Sequence, residues 1–181
     1  MSHGIEVRQE SSAVVYRNKW MTVREDRILR CDGSQGLYGV VEKRDFAVIA
    51  AVEDGHIHLV EQYRYPVGAR YWEMPQGAWE EVEADPLELA AAELREETGL
   101  AAASMIHVGR LFEAYGFATQ AFNIFLATRL TQGESEREPE EIGMVTRSFP
   151  LAEFEAMIAE GLVMDAATVA AFGLLKLKKL L

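Results

Sequence analysis

Between Asp85 and Gly99 the chain supplies both ends of a helix. Asp85 stands as an N-cap, Pro86 takes the first helical position, and Glu88 follows three residues after the cap. Gly99 suits the left-handed residue that stops a helix. Leu87, Ala91, Leu94 and Thr98 recur at helical spacing and form the expected inward stripe, with Glu93, Glu96 and Glu97 on the neighbouring face. Those three glutamates sit at i, i+3 and i+4, a spacing at which like charges destabilise a helix by a few tenths of a kcal/mol per pair. Folding alone would avoid the arrangement. A hard divalent cation, Mg²⁺ or Mn²⁺, would explain it, because such ions seek oxygen ligands.

Around this helix the pattern alternates between strand and helix signals. Short strands are expected at 13–16 and 21–30, and, after an Asp32-Gly33 turn, at 37–43. Phe46 to Val52 reads as a buried strand, Asp54-Gly55 as a hairpin turn, and Ile57 to Arg64 as the return strand. Further strands are expected near 71–74, 105–112, 121–128 and 142–148. A second helix covers about 151–160 before Gly161, and a third about 165–180 behind Asp165. The order implies an α/β sandwich with a mixed sheet, preceded by an N-terminal antiparallel β segment. We expect residues 1–44 to form that segment and 45–181 the main domain, in one structural unit of 181 residues.

Composition narrows the function. A formal charge of −11 argues against a general nucleic-acid surface but not against small phosphorylated substrates, which metal ions can bridge to acidic groups. Cys31 is the single cysteine, so neither an internal disulfide nor a cysteine-rich zinc site is expected. No apolar run is long enough to span a membrane, and residues 1–6 lack the basic and apolar regions of a secretory signal. A cytoplasmic location is the expectation.

The segment from Gly77 through Glu83 to Glu93, Leu94, Glu96, Glu97, Gly99 and Leu100 resembles the Nudix box, Gly-x5-Glu-x7-Arg-Glu-U-x-Glu-Glu-x-Gly-U, where U is bulky and apolar. Two departures stand out. One extra residue separates Glu83 from the arginine position, and that position is Ala92, where the family's arginine helps orient the glutamates. The resemblance implies a Nudix fold and hydrolysis of a nucleoside diphosphate linked to another moiety. It makes Glu93 and Glu97 the leading metal ligands, with Glu96 assisting and the Gln76 carbonyl completing the site. Glu83 is expected to support the loop or a further cation.

Beyond the box, Glu61-Gln62-Tyr63-Arg64-Tyr65 and Trp72-Glu73-Met74-Pro75-Gln76-Gly77 resemble the ADP-ribose and nucleoside-diphosphate-sugar pyrophosphatase branch. So does Glu160-Gly161 with Met164-Asp165-Ala166-Ala167-Thr168. Arg64 becomes a phosphate contact or a strand-edge arginine paired with an acid, and Glu73 a substrate-side carboxylate or a surface pair. That branch takes a further carboxylate from a loop beyond the box. Here the acidic run offers Glu138 as base and Glu140 as metal ligand, with Glu141 beside them, unless the run is a solvated loop.

Specificity is less sharply implied. Tyr115 stands where the ADP-ribose subfamily often has proline, and Gln120 where relatives can carry glutamate. Tyr115 and Phe117 either stack a base, at roughly 1–3 kcal/mol per face, or pack the loop. In related homodimers the N-terminal strands help form the nucleotide site, which implicates Tyr16, Arg17 and Trp20; Trp20 is alternatively core. The expectation is a homodimer acting on a small nucleotide substrate, without nucleic acid or membrane. Alternatives are a dinucleoside polyphosphate or nucleoside triphosphate hydrolase, a noncatalytic nucleotide sensor, and an acidic interaction domain.

Overall fold

Helix α1, Pro86–Thr98, is bounded as the sequence requires. The Asp85 carboxylate accepts the N–H groups of Leu87 at 2.8 Å and Glu88 at 3.3 Å, and Gly99 closes the helix at φ 75°. Its inward stripe differs from the expected one. Leu87 and Ala91 are exposed, whereas Leu89, Ala90, Glu93, Leu94, Glu97 and Thr98 are buried. Two glutamates therefore lie within the buried stripe instead of beside it. The computed structural model of the chain describes residues 6–79, 85–135 and 143–181.

Two compact units are present. One holds the chain up to Asp45 together with Phe112–Ala121; the other holds Phe46–Leu111 and Phe122–Leu181. In the first, β1 (Val7–Arg17), β2 (Thr22–Arg30) and β3 (Gln35–Glu42) form an antiparallel sheet in that order. Strand β1 is far longer than the expected 13–16 and exposed along its whole length. Its polar run Arg8 to Ser12 carries no strand alternation; the ladder to β2, shifted between Gln9 and Ser11 and between Val14 and Tyr16, extends it.

The second unit is built on a seven-stranded mixed sheet. Its strands are β4 (Phe46–Glu53), β5 (His56–Arg64), β6 (Ala69–Glu73), β7 (Gln76–Gly77), β8 (Leu100–Phe112), β9 (Ala121–Gln132) and β10 (Val145–Pro150). The order is β10-β5-β4-β9-β8, with β6 paired to β5 and β7 to β4. Strands β4 and β5 are antiparallel, joined by Asp54 at φ 46° and Gly55 at φ 73°, the positive angles a tight hairpin turn needs. Strands β4 and β9 run parallel.

Strand β4 shows why this unit has three layers. Val48 and Ala50 join one apolar cluster with Phe154 of α2 (Leu151–Ala159) and Ala171 and Leu175 of α3 (Ala166–Leu177). Ala47, Ile49 and Ala51 join another, with Leu89, Ala90 and Leu94 of α1. Successive residues of a strand face opposite ways, so an unbroken apolar run is covered on both faces. The expected α/β/α sandwich with a mixed sheet and an N-terminal antiparallel β segment is what the chain forms.

Candidate functional site

The buried glutamates of α1 face the short strand β7. Glu97 is 2% exposed, and one of its carboxylate oxygens accepts the Gln76 backbone N–H at 3.1 Å. Glu93 is 7% exposed and lies against Gly77, where a Cβ would fall inside van der Waals contact of its carboxylate. Only glycine leaves that space. Glu96 is half-buried, with its neighbour Arg95 at 3.8 Å. Ala92, at the position where the box has arginine, is buried. From the far side, Thr146 near the start of β10 donates its hydroxyl to the Glu97 carbonyl at 3.2 Å. The strand that follows the acidic run is thus tied to the end of the acidic helix.

Among the described residues no group of three or more His, Cys, Asp or Glu side chains could by itself hold a metal ion. Glu83, Glu138, Glu140 and Glu141, which sequence reasoning adds to the site, lie outside the described residues. What the described residues offer is an oxygen donor set: two buried carboxylates one turn apart, beside the Gln76 main chain. The Gln76 side-chain oxygen is buried without a hydrogen-bond partner, but Gln76 is paired with Val48, whose side chain belongs to the α2 and α3 face of the sheet. Buried carboxylates and main-chain carbonyls suit a hard divalent cation. The donor set fits.

A second charged cluster lies three residues upstream. Glu73, at the end of β6, is 2% exposed and accepts from Gln62 Nε2 at 2.7 Å, from Arg64 Nε at 3.2 Å and from Arg64 Nη2. Burial pushes its carboxyl above the usual range, the Arg64 guanidinium and Gln62 oppose that shift, and Asp165 adds to it. The surface-pair reading of Glu73 is therefore corrected: it is a buried acceptor of three hydrogen bonds. Arg64 does pair with an acid and keeps its side chain 41% exposed. Sequence reasoning missed Gln62, although its place two residues before Arg64 puts both side chains on one face of β5.

The first unit holds the remaining candidates. Trp20 is half exposed, which removes the core reading. It borders a cavity of about 300 Å³ with Lys19, Glu42, Lys43 and Arg44, and the Lys19 ammonium lies 4.3 Å over its ring. Asn18 shapes the turn by accepting the N–H groups of Trp20 at 2.9 Å and Met21 at 2.8 Å. Arg17 is exposed and donates to the Thr22 hydroxyl at 3.2 Å. Tyr115 and Phe117 are 82% and 58% exposed, so neither side chain is buried by loop packing. Gln120 is committed to the Arg44 carbonyl at 2.8 Å. The cations Lys43 and Arg44 were not singled out from sequence; their only signal is adjacency at the end of β3.

Comparisons with known proteins show what the chain is similar to. A family model described as the NUDIX domain matches residues 42–169, and one described as the nucleoside diphosphate sugar hydrolase N-terminal domain matches residues 8–41. The ADP-ribose pyrophosphatase of Mycobacterium tuberculosis is 32% identical over 162 residues, 88% of this chain and 78% of that protein. The ADP-ribose pyrophosphatase of Bacillus subtilis is 33% identical over 136 residues, 75% of this chain and 73% of that protein. A solved structure of an ADP compounds hydrolase superposes with a TM-score of 0.85 over 97% of this chain and 95% of its own, at 21% identity, a likeness of fold.

Proposed function

This chain belongs to the Nudix family, and from that premise we propose that it hydrolyses the pyrophosphate bond of ADP-ribose or another nucleoside diphosphate sugar. The products are a nucleoside monophosphate and a sugar phosphate; from ADP-ribose they are AMP and ribose 5-phosphate. The observation that carries this reading is the burial of Glu93 and Glu97 against Gln76 and Gly77, inside the segment that resembles the family's box.

Pyrophosphohydrolases of this family generally need a divalent metal, and we take it here to be Mg²⁺ or Mn²⁺. When bound, such an ion supplies neutralisation of the pyrophosphate charge and polarisation of its phosphorus–oxygen bonds. Glu93, Glu97 and the Gln76 carbonyl are the residues we assign to hold it, with Glu96 assisting. Glu140 completes that set and Glu138 takes the proton of the attacking water. Arg64, oriented by its hydrogen bonds to Glu73, binds a phosphate. In that arrangement Glu73 acts through Arg64 rather than on the substrate.

Trp20, with Arg17 nearby, is assigned to the nucleotide, supported by the half-exposed ring and the cationic side chains along its cavity. Tyr115 and Phe117 offer exposed rings for stacking, and Gln120 fixes the base of their loop. We further propose that residues 1–44 serve as a dimer-forming β segment and 45–181 as the hydrolase domain. The exposed apolar side chains Val14, Val15 and Tyr16 on β1 support a homodimer. The reading places the protein in the cytoplasm, with neither nucleic acid nor membrane as partner. No helix among the described residues is long and apolar enough to cross a membrane.

The test is turnover with Mg²⁺ or Mn²⁺ of ADP-ribose, GDP-mannose, UDP-glucose, a diadenosine polyphosphate and nucleoside triphosphates, with the products identified. AMP and ribose 5-phosphate from ADP-ribose, or the equivalent pair from another sugar nucleotide, are expected. Preferential cleavage of the polyphosphates would reassign the substrate. Tight nucleotide binding without turnover would make the chain a sensor and end the enzyme reading.

A further inference from the structure

Residues 74–77 lead from β6 into β7 and carry the Gln76 main chain up to Glu93 and Glu97. Each of them is tethered. Pro75 has no N–H to offer, and its carbonyl accepts the Ile49 N–H at 2.9 Å. Gln76 gives its N–H to Glu97, and Gly77 pairs with Ala47 of β4. Those tethers come from β4 and α1. Met74 is anchored from the opposite layer: its buried N–H donates to the Thr168 hydroxyl at 2.9 Å.

Thr168 is built to hold that position. It lies in the first turn of α3, is fully buried, and gives its own N–H to the capping Asp165 carboxylate at 2.7 Å. In a helix threonine is restricted to two χ1 rotamers, and in this fully buried setting the one adopted turns its hydroxyl to the Met74 N–H. Its neighbours Ala167 and Ala171 belong to the apolar cluster of that layer. A buried N–H needs a partner, and Met74 meets one on a helix whose place is fixed by packing. Two residues further on stands Gln76, so a displacement at Met74 is passed along an extended segment to the acidic site.

We propose that Thr168 is a positioning residue for the reaction: its bond to the Met74 N–H sets where Gln76 stands against Glu93 and Glu97. The proposal rests on the assignment of those three residues to the metal, made above. It gives a function to the Met164–Thr168 segment that the catalytic reading leaves unused. It also predicts that a helix contributing nothing to the acidic cluster alters its affinity.

The test uses the full chain as wild type, T168V and T168S. Val keeps the shape and removes the acceptor; Ser restores it. Four quantities are read: binding of Mn²⁺ alone, from the electron paramagnetic resonance of the free ion; kcat and KM for ADP-ribose; and the thermal midpoint. T168V is expected to bind Mn²⁺ about 10-fold more weakly, as outer-shell changes do, with KM within about two-fold of wild type. T168S is expected to return Mn²⁺ binding to within about two-fold. A merely structural threonine would lower the midpoint and leave Mn²⁺ binding by the folded protein unchanged, and that result overturns the proposal.

If wild type itself binds no Mn²⁺, the metal assignment fails and this proposal with it. If wild type binds and T168V binds equally, this proposal alone fails. Should T168V not fold, amide exchange at Met74 in wild type and Mn²⁺ binding by T168S decide. Strong protection with binding near wild type supports the role; exchange at the rate of an open amide overturns it.

Discussion

Helices α1 and α3 cover opposite faces of one sheet, each capped by an aspartate, yet they bury different chemistry. On α3 the buried positions are Ala167, Thr168, Ala171, Phe172 and Leu175, which is what a helix packing on a sheet requires. On α1 two of the buried positions are Glu93 and Glu97. Burying an ionised carboxylate is costly unless it is paired, hydrogen-bonded or bound to a metal. One helix is explained by folding. The other buries two carboxylates that packing on a sheet does not call for, and that difference marks where a site is proposed.

The largest effect is expected at Glu97. Glu97→Gln keeps an acceptor for the Gln76 N–H and removes the charge. It should lower kcat by roughly 100-fold or more, the scale on which electrostatic groups act, while the thermal midpoint holds or rises. Steady-state kinetics beside a melting curve checks it; unchanged kcat would end the metal assignment. Leu175→Ala on α3 should do the reverse. Loss of about 2–5 kcal/mol in urea unfolding is expected, with kcat/KM well below the transition within about two-fold of wild type.

A smaller effect separates the two at Gly77. Gly77→Ala adds a methyl group where the Glu93 carboxylate stands, a flexible end that can move. Roughly 10-fold weaker metal activation is expected, from a titration of activity against Mg²⁺, with little change in stability. The smallest effect concerns Glu73. Burial holds its folded-state carboxyl above the ordinary value of 4.5, so the native protein binds that proton more tightly than the unfolded chain. This contribution is full below 4.5 and is lost as pH rises through the raised value. Unfolding measured from pH 4 upward should show that downward slope in wild type and its absence in Glu73→Gln.

The legible parts of the fold were those written locally. The Asp85 cap, the Gly99 stop and the Asp54-Gly55 turn each depend on a few adjacent residues, and each forms as expected. The box glutamates were marked out by their i, i+3 and i+4 spacing together with the family resemblance around them. Which face α1 buries was not, because an apolar stripe drawn through Leu87 and Ala91 ignores what the sheet and β7 present to the helix. Nor was the extent of β1, which polar residues conceal and pairing with β2 creates. The Gln62–Arg64–Glu73 cluster and the bond from Met74 to Thr168, 94 residues apart, arise only when strands and helices are brought together.

A divalent cation held by the carboxylates buried on α1 would be visible in a crystal. Anomalous scattering from a crystal grown with Mn²⁺ tests for it most directly. A peak is expected within about 2.0–2.3 Å of carboxylate oxygens of Glu93 and Glu97 and of the Gln76 carbonyl, the range for a small hard cation on oxygen ligands. A fully occupied ion elsewhere, with those two carboxylates bound only to protein groups, would contradict it.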